Sequence, residues 1–194
     1  MPDDAIEALL VVVAALEKLN IEYVVGGSYA SSAHGEARST NDIDILAAIS
    51  VKEARALAAE LKEKFYADEV AIEHAIKAKK HFNVIDTDTM FKVDIFPSKR
   101  TEFEKQQLNR RQIAIIDPES EATAYVATAE DTILAKLAWY RLGGEVSEQQ
   151  WRDILGVLKR QRERLDFDYL RRWADDLSVS DLLIEAFADA GIGG

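Results

Sequence analysis

The sequence lacks cysteine altogether, and this absence excludes disulfide bonds and thiolate metal sites. It also lacks any apolar run of the ~20 residues that a membrane-spanning helix needs. The first residues, from Met1 to Asp4, are acidic rather than basic, and residues 6–16 are amphipathic with Glu7 among them, which is not typical of a signal peptide. We therefore expect a cytoplasmic protein with no membrane partner.

Basic residues are scarce relative to acidic ones, since 24 Lys and Arg against 35 Asp and Glu give a formal net charge of −11. A charge of this sign repels polyanions at long range, so non-specific nucleic-acid binding is not expected. Two local basic clusters stand out, and either could receive an RNA end or form a solvated helix face. Their members are Lys99, Arg100, Lys105, Arg110 and Arg111, and then Lys159, Arg160, Arg162, Arg164, Arg171 and Arg172.

A glycine-rich turn follows the first strand-like segment. Residues 21–25 read as a short apolar strand, Gly26-Gly27-Ser28 breaks it, and residues 29–34 can start a helix. Ser28 would then lie near a helix N-terminus, where free N–H groups and the helix dipole favour an anion such as a phosphate. An ordinary strand-to-helix turn with Ser28 as N-cap is the alternative.

Two acidic residues lie two positions apart in a segment that alternates polar and apolar residues. On a strand, Asp42 and Asp44 share one face, and Ile43 and Ile45 point to the core. Two carboxylates this close repel each other unless a cation lies between them. The pattern indicates either a divalent metal site or a solvent-facing edge strand.

A third acid lies on a predicted hairpin. Alternating apolar runs at residues 81–85 and 90–96 flank a polar turn that contains Asp86 and Asp88. Asp94 would project from the second strand on the face opposite its apolar neighbours, together with Lys92. We expect Asp94 to approach Asp42 and Asp44 from an adjacent strand, or to be a solvated strand residue.

The order of these motifs resembles that of a known family. The glycine turn, the paired acids and the distant third acid are similar to the nucleotidyltransferase fold of the DNA polymerase beta superfamily. Residues 26–46 resemble the small bacterial members, including the AbiEii-type toxin nucleotidyltransferases, and the resemblance covers about residues 20–155. It implies that Ser28, with Gly26 and Gly27, binds the triphosphate of a nucleotide such as ATP.

The resemblance also implies roles for the acids. Asp42 and Asp44 would hold Mg²⁺ or Mn²⁺ ions, and Asp94 would complete the metal and catalytic site by helping to activate an acceptor hydroxyl. Members often carry an arginine just before the paired acids, a position that Arg38 fits. Arg38 would then pair with a phosphate or a carboxylate, and a surface loop arginine is the alternative.

Two helices in the C-terminal half carry the remaining candidates. Residues 129–141 and 148–159 have helical periodicity and predict an αα-hairpin. On them, Lys136 and the pair Arg152-Asp153 resemble the downstream motif of the AbiEii-type enzymes, in which such residues close over the nucleotide. Lys136 could neutralise triphosphate charge, or could be a helix lysine whose stem lies along apolar surface.

The predicted architecture is α+β. Residues 1–118 would form the nucleotidyltransferase core, a small mixed β-sheet flanked by helices, and residues 119–194 a C-terminal helical bundle, with a linker near residues 117–120. His34 is expected to pack or to cap its helix rather than to act in catalysis. The last helices could cover the core or form a homodimer surface.

Two functions are consistent with these patterns. The first is a metal-dependent enzyme that moves a nucleoside monophosphate from a nucleoside triphosphate to a hydroxyl on RNA (a tRNA, for instance), on a protein or on a small molecule. A toxin of this type would pair with an antitoxin. The second is a catalytically idle protein that binds a nucleotide or a protein partner. The three carboxylates favour the enzyme.

Overall fold

The computed structural model describes residues 3–36, 40 and 42–193. Its helices and strands, numbered in chain order, are α1 (Asp3–Lys18), β1 (Tyr23–Val25), α2 (Gly27–His34), β2 (Asp42–Ala47), α3 (Val51–Leu61), β3 (Phe65–Tyr66), α4 (Glu69–Lys77), β4 (Phe82–Asp86), β5 (Lys92–Pro97), α5 (Glu102–Arg110), β6 (Gln112–Asp117), β7 (Ala122–Val126), α6 (Ala129–Leu142), α7 (Glu148–Gln161), α8 (Phe167–Asp176) and α9 (Ser180–Asp189). Together they confirm the α+β class with a mixed sheet. None of the described helices is long and apolar enough to cross a membrane.

The chain divides into two compact units that each combine two stretches of sequence. The first comprises residues 1–26 and 39–126 and is called the sheet unit below. The second comprises residues 27–38 and 127–194 and is called the helical unit. The domain boundary predicted between residues 118 and 119 stays a prediction.

The sheet unit is built on seven strands in the order β3-β4-β5-β2-β1-β7-β6. The pairs β2–β5 and β1–β7 are parallel, and the other neighbours are antiparallel. Helix α1 packs against β2 and β5, and the apolar residues of these strands, such as Ile43, Ile45 and Ile95, are fully buried. A covered apolar face leaves the opposite face of the two central strands for polar side chains.

The helical unit consists of α2 and α6–α9. Helices α6 and α7 form the predicted hairpin, and α2 contacts both of them. Side chains at the N-caps Thr128, Ser147 and Asp166 accept backbone hydrogen bonds from the first turns of α6, α7 and α8, which fixes where these helices begin. The helices predicted for the last third of the chain are therefore confirmed.

The end of α2 lies unusually close to α7. A Cβ added at Gly35 would be 2.9 Å from both the Ser31 carbonyl oxygen and the Val157 nitrogen. A Cβ at Gly156, by contrast, would meet nothing nearer than the Glu36 nitrogen at 3.5 Å. Only glycine fits at position 35, because real Cβ atoms do not approach backbone atoms so closely.

Three elements differ from the sequence expectations. Between β2 and the predicted hairpin, helix α3 ends at Leu61 and is followed by the two-residue strand β3, which was not predicted. Helix α5 was not predicted, although Thr101 and Glu104 form a capping box at its start. Strand β7 falls where only helices were expected, and the linker predicted near residues 117–120 lies at the end of β6 and in the turn that leads to β7. The parallel partner of β7 is β1, which lies far away in the sequence, and local patterns do not reveal such a partner.

Candidate active site

The paired acids lie on the central strand β2 of the sheet unit. Asp42 and Asp44 are partly exposed, while Ile43 and Ile45 between and after them are fully buried. The alternation of the strand therefore places both carboxylates on the face away from the apolar core, as the sequence pattern predicts. The Thr40 hydroxyl donates a hydrogen bond to the Asp42 carbonyl oxygen at 2.8 Å.

The third acid lies directly opposite this pair. In the parallel register of β2 and β5, Asp94 is the partner of Asp44, and Lys92 is the partner of Asp42. Paired residues on neighbouring strands point to the same face and their backbones are only ~4.8 Å apart. The register thus brings Asp42, Asp44 and Asp94 to one patch of the sheet.

Lys92 takes part in this patch. Its Nζ donates to Asp94 Oδ2 at 2.7 Å, and this hydrogen bond is the main reason why the pKa of Lys92 is raised. Partial burial opposes the shift, and the negative charges of Asp94, Asp42 and Asp44 reinforce it. All three carboxylates therefore act on a single ammonium group.

The donor set suits a divalent cation such as Mg²⁺, which prefers carboxylate oxygens. Asp94 is 7% exposed, and its Oδ1 is buried with no hydrogen-bond partner among the residues that the structure describes. A buried carboxylate oxygen of this kind needs a cation or a donor. Within the described ranges, no three His, Cys, Asp or Glu side chains are arranged to hold a metal ion, and Lys92 already holds the other Asp94 oxygen.

The glycine turn spans the boundary between the two units. On the sheet side, the Gly26 N–H donates to the Asp44 carbonyl oxygen at 2.9 Å. On the helical side, Gly27 has a φ of 54°, a value that favours glycine, and it begins α2. Ser28 is the second residue of that helix, so it lies within the first turn rather than before it.

Lys136 and Asp153 form a buried ion pair in the helical unit. Lys136 Nζ donates to Asp153 Oδ2 at 2.9 Å, and the two side chains are only 10% and 8% exposed. The Ser31 hydroxyl lies 3.5 Å from the same carboxylate oxygen and donates to the Ser28 carbonyl oxygen at 3.1 Å. The ion pair is thereby connected to the first turn of α2.

Two further residues singled out in the sequence are His34 and Arg38. His34 Nε2 lies 2.7 Å from the Ala127 carbonyl oxygen, to which it can only donate, and this contact fits the interpretation of His34 as a packing residue, which stays a prediction. Arg38 lies outside the described residues.

The sequence analysis did not predict the role of Ser31 or the Lys92–Asp94 contact. Helical spacing from Ser28 and strand spacing from Asp94 were the signals that could have indicated them.

Comparison with known proteins gives the family. The family profile of aminoglycoside-2''-adenylyltransferase matches residues 8–153, which is most of the chain. The chain belongs to this family. No curated protein sequence matches it. The predicted enzyme class, a nucleotidyltransferase, is therefore confirmed. The match does not show the more specific AbiEii-type assignment.

Several solved structures share the fold of this chain. The solution structure of the antibiotic-resistance factor ANT(2'')-Ia has a TM-score of 0.59 at 12% identity and covers 97% of this chain and 99% of that chain. The antigenic nucleotidyltransferase-like protein from Paracoccidioides brasiliensis has a TM-score of 0.57 at 14% identity, covering 97% and 92%. ANT(2'')-Ia in complex with adenylyl-2''-tobramycin has a TM-score of 0.56 at 10% identity, covering 89% and 96%. At such identities the likeness establishes the fold alone.

Proposed function

We propose that this protein transfers the AMP group of ATP to a hydroxyl of an aminoglycoside-type aminosugar. The main support for the proposal is the family match over residues 8–153. The matched range contains every acid of the candidate site and the glycine turn. It also contains Lys136 and, as its last residue, Asp153.

The charge of the protein supports a cationic acceptor. Aminosugars carry several amino groups that are protonated near neutral pH. A formal net charge of −11 attracts such polycations and repels an RNA acceptor at long range. The same charge therefore favours a small cationic acceptor over a tRNA end, which was one of the acceptors left open by the sequence.

Asp94 is proposed to take the proton of the acceptor hydroxyl. The acceptor oxygen then forms a bond to the α-phosphorus of ATP, the bond between that phosphorus and the bridging oxygen breaks, and pyrophosphate leaves with the electron pair. Asp94 lies opposite Asp44 on the face of the paired acids, so its carboxylate is the group suited to receive the proton. A positioned base of this kind typically contributes ~10²- to 10⁴-fold.

Asp42, Asp44 and Asp94 are proposed to hold Mg²⁺. When bound, the ion supplies positive charge that stabilises the charge developing on the phosphate oxygens. The chain itself orders the three carboxylates through the register of β2 and β5. Replacing Asp44 by Asn should therefore weaken metal binding and AMP transfer together, because one ligand charge is lost while the side-chain shape is kept.

The first turn of α2 is proposed to bind the triphosphate. Its backbone N–H groups and the Ser28 hydroxyl are the donors that phosphate oxygens require at a helix N-terminus. Lys136 and Asp153 are proposed to support this turn, since Ser31 links Asp153 to the Ser28 carbonyl group. Because Lys136 is already paired with Asp153, its contribution to triphosphate binding is expected to be indirect.

The test is an AMP-transfer assay with the purified protein. ATP labelled at the α-phosphate, MgCl₂ and one acceptor at a time are incubated together, and the acceptors are tobramycin, total tRNA and a protein extract. We expect label and the mass of one AMP on tobramycin, with release of pyrophosphate. Parallel assays with GTP, CTP and UTP establish the base preference.

Two variants control this assay. Asp44→Asn should lose transfer, whereas Lys18→Met, which removes an exposed lysine paired with Glu60 on the same unit, should transfer like the wild type. Label on tRNA or protein instead of tobramycin would overturn the aminosugar proposal and favour the toxin-like alternative. Binding of ATP with no label on any acceptor would favour the idle nucleotide-binding protein.

A further inference from the structure

Lys92 lies among the candidate metal ligands although it carries the charge of a cation. It is two residues before Asp94 on β5, so the two side chains share a face, and its partner across the sheet is Asp42. The Lys92 side chain is 39% exposed. It can therefore leave this patch without disturbing the core.

The contact with Asp94 is short and specific. Lys92 Nζ lies 2.7 Å from Asp94 Oδ2, while the Asp94 side chain is only 10% exposed. A carboxylate this buried needs a cation, because an uncompensated buried charge is strongly destabilising. In the structure described here, Lys92 supplies that charge.

A divalent cation would compete for the same oxygens. Mg²⁺ binds carboxylates at ~2.0 to 2.1 Å, so an ion bound to Asp94 Oδ2 would lie at most about 5 Å from an ammonium that keeps its present hydrogen bond. Two cations at this separation repel each other strongly at a partly buried site. The flexible four-carbon stem of lysine allows the ammonium to withdraw.

We infer that Lys92 is a resident counter-ion of Asp94, which a divalent cation has to displace before it can bind to the three acids. Lys92 is therefore a positioning residue that lowers the metal affinity of the nucleotide-free protein. It keeps Asp94 compensated when no metal is bound. The inference rests on the proposed function only in taking Asp42, Asp44 and Asp94 as the metal site.

The experiment measures Mn²⁺ binding by electron paramagnetic resonance, without nucleotide or acceptor. Lys92→Met, which keeps an unbranched side chain one atom shorter and removes its charge, should bind Mn²⁺ about 10-fold more tightly or better, on the scale of a lost charge-assisted hydrogen bond. Lys92→Arg keeps the charge and should stay within about 3-fold of the wild type. Lys18→Met removes a lysine that is also 2.7 Å from a carboxylate, and it should leave Mn²⁺ affinity unchanged.

Thermal unfolding of the same variants gives a second readout. Without metal, Lys92→Met should melt at a lower temperature than the wild type, because Asp94 loses its compensating charge. Saturating Mn²⁺ should then raise its Tm by more than it raises that of the wild type, since a ligand that binds only the folded state stabilises it in proportion to its affinity. Lys92→Gln serves as a second neutral variant if Lys92→Met does not fold.

The inference and the proposed function fail in different ways. Equal or weaker Mn²⁺ binding by the neutral Lys92 variants overturns the inference, whatever the AMP-transfer assay shows. Tighter Mn²⁺ binding together with no AMP transfer by the wild type keeps the inference and removes the proposed function. Absence of Mn²⁺ binding from the wild type and the neutral variants alike overturns the inference and the proposed metal site together.

Discussion

The two units of this protein each contain a lysine–aspartate pair, and the two pairs differ in burial and surroundings. In the helical unit, Lys136 and Asp153 are 2.9 Å apart and both nearly buried. In the sheet unit, Lys92 and Asp94 are 2.7 Å apart, but the lysine is well exposed and faces two further carboxylates. We call Lys136–Asp153 the closed pair, because both of its side chains are nearly buried. We call Lys92–Asp94 the open pair, because a competing cation can reach and separate its two residues.

This difference explains why the same two residue types serve different purposes. A buried pair is costly to break because the remaining charge has no solvent to stabilise it. A pair with an exposed lysine exchanges its partner at a lower cost, since water replaces the lost hydrogen bond. Four expected outcomes test this comparison.

The largest effect is expected at Asp94, the acid of the open pair. Asp94→Asn keeps the shape of the side chain and removes the proposed base, so AMP transfer should slow by ~10²- to 10⁴-fold while ATP affinity stays close to that of the wild type. Single-turnover transfer and calorimetric ATP titration measure the two quantities separately. A parallel loss of ATP affinity and transfer would instead assign Asp94 to nucleotide binding.

We expect a larger loss in the free energy of unfolding when the closed pair is broken than when the open pair is broken. Lys136→Met removes the ammonium group that pairs with the buried Asp153 carboxylate, and it should lower the free energy of unfolding by about 3 to 5 kcal/mol. Lys92→Met should cost less, because Lys92 is 39% exposed and water can enter the space that it leaves beside Asp94. Urea unfolding of both variants makes the comparison, and a similar loss for the two would mean that burial does not distinguish the pairs.

Ser28 tests whether the first turn of α2, to which the closed pair is connected, binds phosphate. Ser28→Ala should weaken ATP binding by about 1.5 to 3 kcal/mol, the range for a hydrogen bond to a charged group. Ser32→Ala on the same helix is the matched control and should bind ATP like the wild type. Unchanged affinity in Ser28→Ala, measured by calorimetry, would place the phosphates elsewhere.

Gly35 tests the packing of α2 against α7, the helix that carries Asp153. Gly35→Ala forces a Cβ against backbone atoms at 2.9 Å, and overpacking of this kind costs about 1 to 3 kcal/mol. Gly156→Ala meets only ordinary contacts, from 3.5 Å outward, and should be nearly neutral. Thermal unfolding of the two variants should separate them, and equal Tm values would contradict the close approach.

Much of the sheet unit could be predicted from local patterns. The alternation of polar and apolar residues around Asp42 and Asp44 predicted strand β2 and the face on which the two acids lie. The hairpin of β4 and β5 followed from two alternating runs around a polar turn, and Asp86 accepts hydrogen bonds from the Asp88 and Thr89 N–H groups there. The alternation of side chains along a strand and the residue types that favour a turn are local properties. Both can therefore be recognised in a single sequence.

Elements that depend on distant partners were missed. Strand β7 pairs with β6 and, in parallel, with β1 almost a hundred residues earlier in the chain. Its sequence, ATAYV, has no strong signal of its own, and the pairing decides its conformation. The two-residue strand β3 likewise exists only because β4 offers it a partner.

The residue types of the candidate site, the strand faces on which they lie and the enzyme class of the matched family can all be obtained from the chain's sequence. The contacts between these residues follow from the folded structure. The register of β2 and β5 places Asp94 opposite Asp44, and the α6–α7 hairpin buries Lys136 against Asp153. Neighbouring residues determine which side chains share a face of a strand or helix. Strand register and helix packing depend instead on contacts between segments far apart in the chain.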